Sequence, residues 1–425
     1  MSRRAALWVV FLTLVLFVGA VPGLAAQPQV TTVEFWSWAT GDELKHLQER
    51  IQLFEDANPD VKINLVNVAW DQIGTKLPVA VAGGTSPDLV TVSSNWGYDL
   101  AVNKLYIDLR PYIGKERKQD PAWDVDDIFP GAMTMWQTDD GDQFAFPDSL
   151  DIQGVFYNKD RYDEIGLRYP NDKTWNWNDM LNESIKMTSD VNGDGEMDRW
   201  GISDYYFNWY QLIIANGGQI LTKDFKNGMN TPAARQTFEY WKKFYDAKAI
   251  RGWISTTVNG DASFRANHVG LQPAGYWLAL SLNGMEKKLN YDVTGMPLSP
   301  AGKRAATADG SGVMIPAGAK HPDAAWRFIK FMHSKEILAE VAKQPGAMPL
   351  RRSSAAVAFR IPDPPKNKAI FAQILEYTVG NPRTPQWSKV RTQIFRTGSQ
   401  FFTGTASYEQ AMEYFSTQLA AILKQ

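Results

Sequence analysis

Between residues 31 and 92 strand and helix signals alternate without interruption, and that order restricts the fold more than any other feature. Residues 31–38 alternate Val33 and Phe35 against Thr32, Glu34 and Trp36, the period of a strand with one buried face. A helix follows. Asp42 and Glu43 favour its first turn, Leu44, Leu47, Ile51 and Phe54 recur at helical spacing, and Asn58-Pro59 stops it. Residues 61–68 alternate again. A short helix over 77–82 is broken by Gly83-Gly84, and Pro87-Asp88 leads into a strand over 89–92. This β-α-β-α-β order predicts a parallel sheet with helices on its faces.

A second α/β series begins near Phe144, with a short apolar strand at Gly154–Tyr157 and helices predicted near 178–188, from Thr231-Pro232, from His321-Pro322 and from Ser407. At 425 residues, two domains are expected. The net charge is −2 with dispersed Lys and Arg, which argues against a nucleic-acid partner. Cysteine is absent, excluding disulfides, thiolate metal sites and a lipid-modified cysteine. Arg3 and Arg4, an apolar run and small residues before Gln27 read residues 1–26 as a cleaved secretory signal peptide. The expected product is a free, unlipidated periplasmic monomer.

The chain holds sixteen tryptophans, several where strands run into loops: Trp36, Trp38, Trp70, Trp96, Trp209 and Trp277. An indole covers the C–H face of a sugar and leaves the hydroxyls to polar neighbours. Ligands of open α/β sheets bind outside the carboxyl ends of the strands. The pattern therefore points to a carbohydrate cleft between two lobes.

Six stretches carry a family likeness, in order along the chain: Val33-Glu34-Phe35-Trp36-Ser37-Trp38, Phe54-Glu55-Asp56-Ala57-Asn58-Pro59, Gly83-Gly84-Thr85-Ser86-Pro87-Asp88, Gly154-Val155-Phe156-Tyr157-Asn158-Lys159-Asp160, Gly310-Ser311-Gly312-Val313 and Met348-Pro349-Leu350. The chain resembles the family 1 extracellular solute-binding proteins of ABC importers, the group containing maltose-binding protein. The resemblance implies an α/β, two-lobed periplasmic-binding-protein fold (type II), with the ligand cleft between the lobes. Three hinge crossings are expected near 148–153, 293–299 and 339–348. The N-terminal lobe would combine 27–149 with 295–335, and the C-terminal lobe 150–294 with 336–425. It further implies hinge closure on a sugar and delivery to permease subunits in the inner membrane. Trp38 and Thr40 match the first ligand loop, Asn95 and Trp96 follow the third strand, and Asp151 matches an acidic hinge contact. Trp209 with Tyr210, Tyr276 with Trp277, and Trp387 match stacking positions. Trp70 and Gly310 complete the expected set. Asn95-Trp96 stands where maltose-binding protein has an acidic-basic pair, which argues against maltose itself.

Asp190, Asn192, Asp194, Glu196 and Asp198 follow the spacing of an EF-hand start, with Gly195 at position six, but Gly201 replaces the closing Glu. Two readings stand open: a shortened structural calcium loop, or an Asx-rich turn. No cofactor is otherwise required. The rival functions are a secreted glycosidase, which needs two carboxylates flanking one bond, and the same receptor class with a glycerol-phosphate or polyamine ligand.

Overall fold

In the computed structural model, which describes residues 30–204, 207–251, 260–344, 346–382, 384 and 386–423, the alternating stretches form two α/β lobes. The signal-peptide reading, 1–26, lies outside the described residues. The first sheet has the order Val61–Asn67, Thr31–Ser37, Leu89–Ser93, Ser311–Met314, Phe146–Pro147. Its first three strands are parallel, as their helical connections require, and the last two join antiparallel. The helix Gly41–Ala57 buries Leu47, Ile51 and Phe54, and Asn58 Nδ2 closes its end on the Phe54 carbonyl (2.9 Å). Phe54 meets Phe328 at 5.1 Å between ring centres, docking the helix Pro322–Met332 onto this lobe. Each such buried ring contributes about 1.5–3 kcal/mol by leaving water.

The second sheet runs Thr378–Gly380, Ala306–Asp309, Asp151–Asn158, Val269–Gly275, Trp200–Ser203, Ile250–Arg251. Tyr291–Thr294 also pairs with the far half of Asp151–Asn158. Its core is aromatic: Trp209 meets Phe238 and Phe402 edge to face, and those two rings pack tilted at 42°. Among the described residues no helix is long and apolar enough to cross a membrane.

Sheet membership corrects two expected crossings. The first falls between Pro147 and Asp151, as the sequence implies. The second does not fall at 293–299, because Tyr291–Thr294 and Ala306–Asp309 both belong to the second sheet. It falls at Gly310, directly between Asp309 in one sheet and Ser311 in the other. The first lobe's later segment therefore begins near 311, not 295. The third passage is longer than 339–348. Gly346 lies against Trp277 and Leu280 of the second lobe, yet the Leu350 carbonyl still accepts from Phe129 N (3.0 Å) in the first. By Asp363 and Pro364, which accept from Asn283 Nδ2 (3.4 and 2.7 Å), the chain has joined the second lobe, and Asn367 N–H follows by donating to Asp292 (2.9 Å). The boundary moves because helix packing and bridges, not sequence order, hold 336–353 to the first lobe.

Two of the crossings touch. A Cβ at Gly310 would sit 2.4 Å from the Ser149 carbonyl oxygen. Gly310 also exchanges hydrogen bonds with Ser94, whose N–H donates to the Gly310 carbonyl (3.0 Å) and whose Oγ accepts from Gly310 N (3.1 Å). Because the obstacle is backbone, Gly310→Ala should destabilise the protein by about 2–3 kcal/mol. Urea unfolding measures this, and an unchanged midpoint would contradict the packing.

Candidate ligand-binding cleft

The three parallel strands of the first lobe end at the same edge, and each delivers an indole there. Trp38 follows Thr31–Ser37, Trp70 opens the helix after Val61–Asn67, and Trp96 follows Leu89–Ser93. Trp38 and Trp96 lie 6.0 Å apart at 73°, and Trp70 and Trp96 6.2 Å apart at 67°. Edge-to-face contact suits the ring quadrupoles and fixes the set. Trp96 is buried and supports the other two. Trp38 is half-buried, and Trp70 is 42% exposed. Thr40 is exposed before the helix Gly41–Ala57, where its side chain makes no capping bond. Asn95 is half-buried, and its Oδ1 is a buried acceptor without a donor.

Across the seam, antiparallel pairing of Asp151–Asn158 with Val269–Gly275 puts Gln153 opposite Gly275, so Asp151 and Trp277 share one sheet end. Trp277 is half-buried, its ring folded back over Gly275, where a Cβ would lie 2.4 Å from Nε1. Asp151 pairs with Asp309 on the neighbouring strand. Burial of its carboxyl, with Asp309, Glu43 and Asp148 nearby, pushes the Asp151 pKa up to about 7. Asp148 shows the opposite outcome. Its burial opposes ionisation, but His333 (Nε2 3.5 Å away), Arg50 and Ser311 together hold the pKa below the usual value.

Asp309 is the hub of the polar network. It accepts from Ser94 Oγ (3.2 Å), Asn208 Nδ2 (3.1 Å) and Asn381 Nδ2 (2.6 Å), joining one lobe to the other. Asn208 Oδ1 accepts from Arg391 Nη2 (2.9 Å). The sequence reading chose the aromatic neighbours and passed over these polar residues. Asp309 stands beside Gly310, Asn208 beside Trp209, and Arg391 four residues after Trp387. A search for polar residues flanking the strand-end aromatics could have found them.

Four expected stacking residues are interior instead. Trp209 is 2% exposed, wedged between Phe238 (5.0 Å) and Phe402 (5.1 Å), with Gly398 leaving room for its ring. Tyr210 is buried and its hydroxyl donates to Asn381 Oδ1 (2.9 Å). Tyr276 points the opposite way from Trp277, into the core against Phe371 (4.9 Å). Trp387 is buried at the start of the helix Trp387–Phe402 and lines a cavity with Leu150 and Ala308, away from Asp151. Core packing claimed Trp209 and Tyr276 because partners distant in sequence, Phe238, Phe402 and Phe371, close over them. Gly310 acts through its backbone, as the tight crossing above.

The loop at 190–198 is closed by its own amides. Asp190 accepts from Gly193 N and Gly195 N (2.6 and 2.7 Å), and Asp198 from Val191 N and Asn192 N (2.7 and 3.1 Å). Asn192 and Asp194 take the amides of Asp194 and Glu196. Among the described residues no group of three or more His, Asp or Glu is gathered as metal donors.

This architecture has relatives. The model of the bacterial extracellular solute-binding proteins matches residues 38–338. A putative binding protein of Brucella abortus is 22% identical over 405 residues, covering 94% of each chain. An ABC substrate-binding protein of Listeria monocytogenes, solved in complex with cycloalternan, is similar in structure with a TM-score of 0.81 at 22% identity, covering 92% of this chain and 98% of that one. The maltose/maltodextrin-binding domain of Bdellovibrio bacteriovorus, bound to maltotriose, gives 0.77 at 21% identity, with 93% and 100% covered. The likeness to both solved structures supports the two-lobed fold. The matching family is one of binding proteins rather than catalysts. With a family model spanning most of the described chain and two α/β lobes meeting at a cleft, the chain belongs to the bacterial extracellular solute-binding protein family.

Proposed function

We propose that the protein is the substrate-binding component of an ABC importer, exported as a free periplasmic monomer. It takes a neutral sugar or oligosaccharide into the cleft by hinge closure and passes it to the permease. The observation that carries this reading is the presence of indoles at strand ends in both lobes: Trp38 and Trp70, braced by Trp96, in one, and Trp277 at the sheet end of Asp151 in the other. Indoles suit sugar C–H faces, and the Asp151, Asn95 and Asp309 oxygens suit hydroxyls. The carbohydrates bound in the Listeria and Bdellovibrio structures agree with this chemistry. A second reading, an amine ligand, draws on the carboxylates of Asp151, Asp309, Glu43 and Asp148, which act on one another at the hinge.

A panel of saccharides and polyamines, read by Trp fluorescence and thermal shift, tests both readings. A saccharide should raise the melting temperature, because binding the native state alone stabilises it. Trp277→Ala should weaken that saccharide by about tenfold or more, the loss of one buried aromatic contact. A shift given only by polyamines would replace the sugar reading.

Asp151 makes a pH prediction. Between the ordinary Asp value of about 3.9 and its folded value of about 7, the folded protein holds a proton that the unfolded chain has released. Stability from this group therefore falls as pH rises through that window and is level above it. Asp151→Asn removes the titration. Its melting temperature relative to the native protein should be unchanged near pH ~4 and raised near pH ~8; equal differences at both would contradict the assignment.

Two readings of the loop at Asp190, Asn192, Asp194, Glu196 and Asp198 stay open: a structural calcium, favoured by the alternating oxygen side chains, and an Asx-rich turn, favoured by the amide bonds that close it. Chelator should lower the melting midpoint. An unchanged midpoint would leave the loop as a turn closed by its own amides.

A further inference from the structure

We propose, building on the hinge closure described above, that Asp99 of the first lobe is the latch of the closed form: its carboxylate caps the helix Trp387–Phe402 of the second lobe, and does so only while the lobes are together. A helix leaves its first N–H groups without intrahelical acceptors, and a side chain at its own N-cap ordinarily serves them. Here the N-cap residue is Gln386, and its side chain makes no capping bond. It turns elsewhere, donating to the Ile422 carbonyl (3.2 Å) and accepting from Lys389 Nζ (2.7 Å). Asp99 fills the role from the other lobe. Its Oδ1 accepts from the N–H groups of Gln386 (2.6 Å) and Trp387 (3.3 Å), and its Oδ2 from Ser388 Oγ (3.4 Å). A carboxylate there also meets the positive end of the helix dipole.

The topology puts this contact between the two walls of the cleft. Asp99 lies in the helix Gly97–Val102, which follows the carboxyl end of Leu89–Ser93. Thr378–Gly380 runs parallel to Ala306–Asp309, whose carboxyl end leads into the Gly310 crossing, so the chain after Gly380 leaves its sheet toward the first lobe. Ligands of open α/β sheets bind outside such carboxyl ends. Neither Asp99 nor Gln386 belongs to a crossing, so rotation about Ser149 and Gly310 moves one against the other. The lobes do not pack solidly nearby: Tyr98 of the first and Asn381 and Trp387 of the second line a cavity of about 650 Å³. Burial pushes the Asp99 carboxyl up from its ordinary pKa, while its three donors and Lys389 pull the other way. On opening, Asp99 regains water and the helix loses its cap.

The chain has no cysteine, so Lys118→Cys in the first lobe and Lys243→Cys in the second, both at exposed positions, supply a spin-label pair across the hinge. Pulsed electron resonance on the sugar-free protein reads the lobe separation. With Asp99 intact a short-distance population should be present. Asp99→Ala should lower its ratio to the long-distance population by roughly three- to thirtyfold, the cost of a lost N-cap. Asp99→Lys sets a cation against the helix N-terminus and should remove the short population. A separation changed by Asp99→Lys but not by Asp99→Ala would overturn the latch and leave hinge closure standing. Distances identical in all three would overturn both, and no short population with Asp99 intact would overturn the latch. Should Asp99→Ala fail to fold, as circular dichroism would report, Asp99→Ser, whose hydroxyl is too short to reach the helix, decides in its place.

Discussion

The contact of two hinge crossings governs this molecule. Ser149 and Gly310 pass with no room for a side chain, and just beyond them Asp151 and Asp309 are drawn opposite one another as neighbours on paired strands. Burial, reinforced by the neighbouring carboxylates of Asp309, Glu43 and Asp148, raises the Asp151 pKa to about 7. Asp309 is held by amide and hydroxyl donors from both lobes.

From that junction the two faces of the hinge diverge in chemistry. Strand alternation sends carboxylates and amides to one side and Leu150 and Ala308 to the other. The polar side is flanked by indoles at strand ends. The apolar side opens on a cavity lined by both lobes.

Much of the fold was legible in the sequence. The alternation at 31–68 predicted parallel strands with an intervening helix, and Leu47, Ile51 and Phe54 are the residues that helix buries. The tryptophans that end first-lobe strands came together as expected, because parallel strands of similar length finish at one edge. Those of the second lobe divided. Tyr276 and Trp277 are adjacent, yet one enters the core and the other stays half-buried with its ring over Gly275. Trp209 met Phe238 and Phe402, partners distant in sequence that nothing local announces.

By itself the sequence determined the class of structure: hydrophobic period, turn residues and the lack of cysteine require α/β layers stabilised by packing alone. The tertiary structure alone decided where the chain passes between lobes and which polar residues converge. The reason is range. Periodicity and caps act within a few residues, whereas Asp309 reaches Ser94, Asn208 and Asn381 only through the pairing of strands far apart along the chain. Burial of an indole likewise depends on the far-off side chains that close over it, not on its neighbours in sequence.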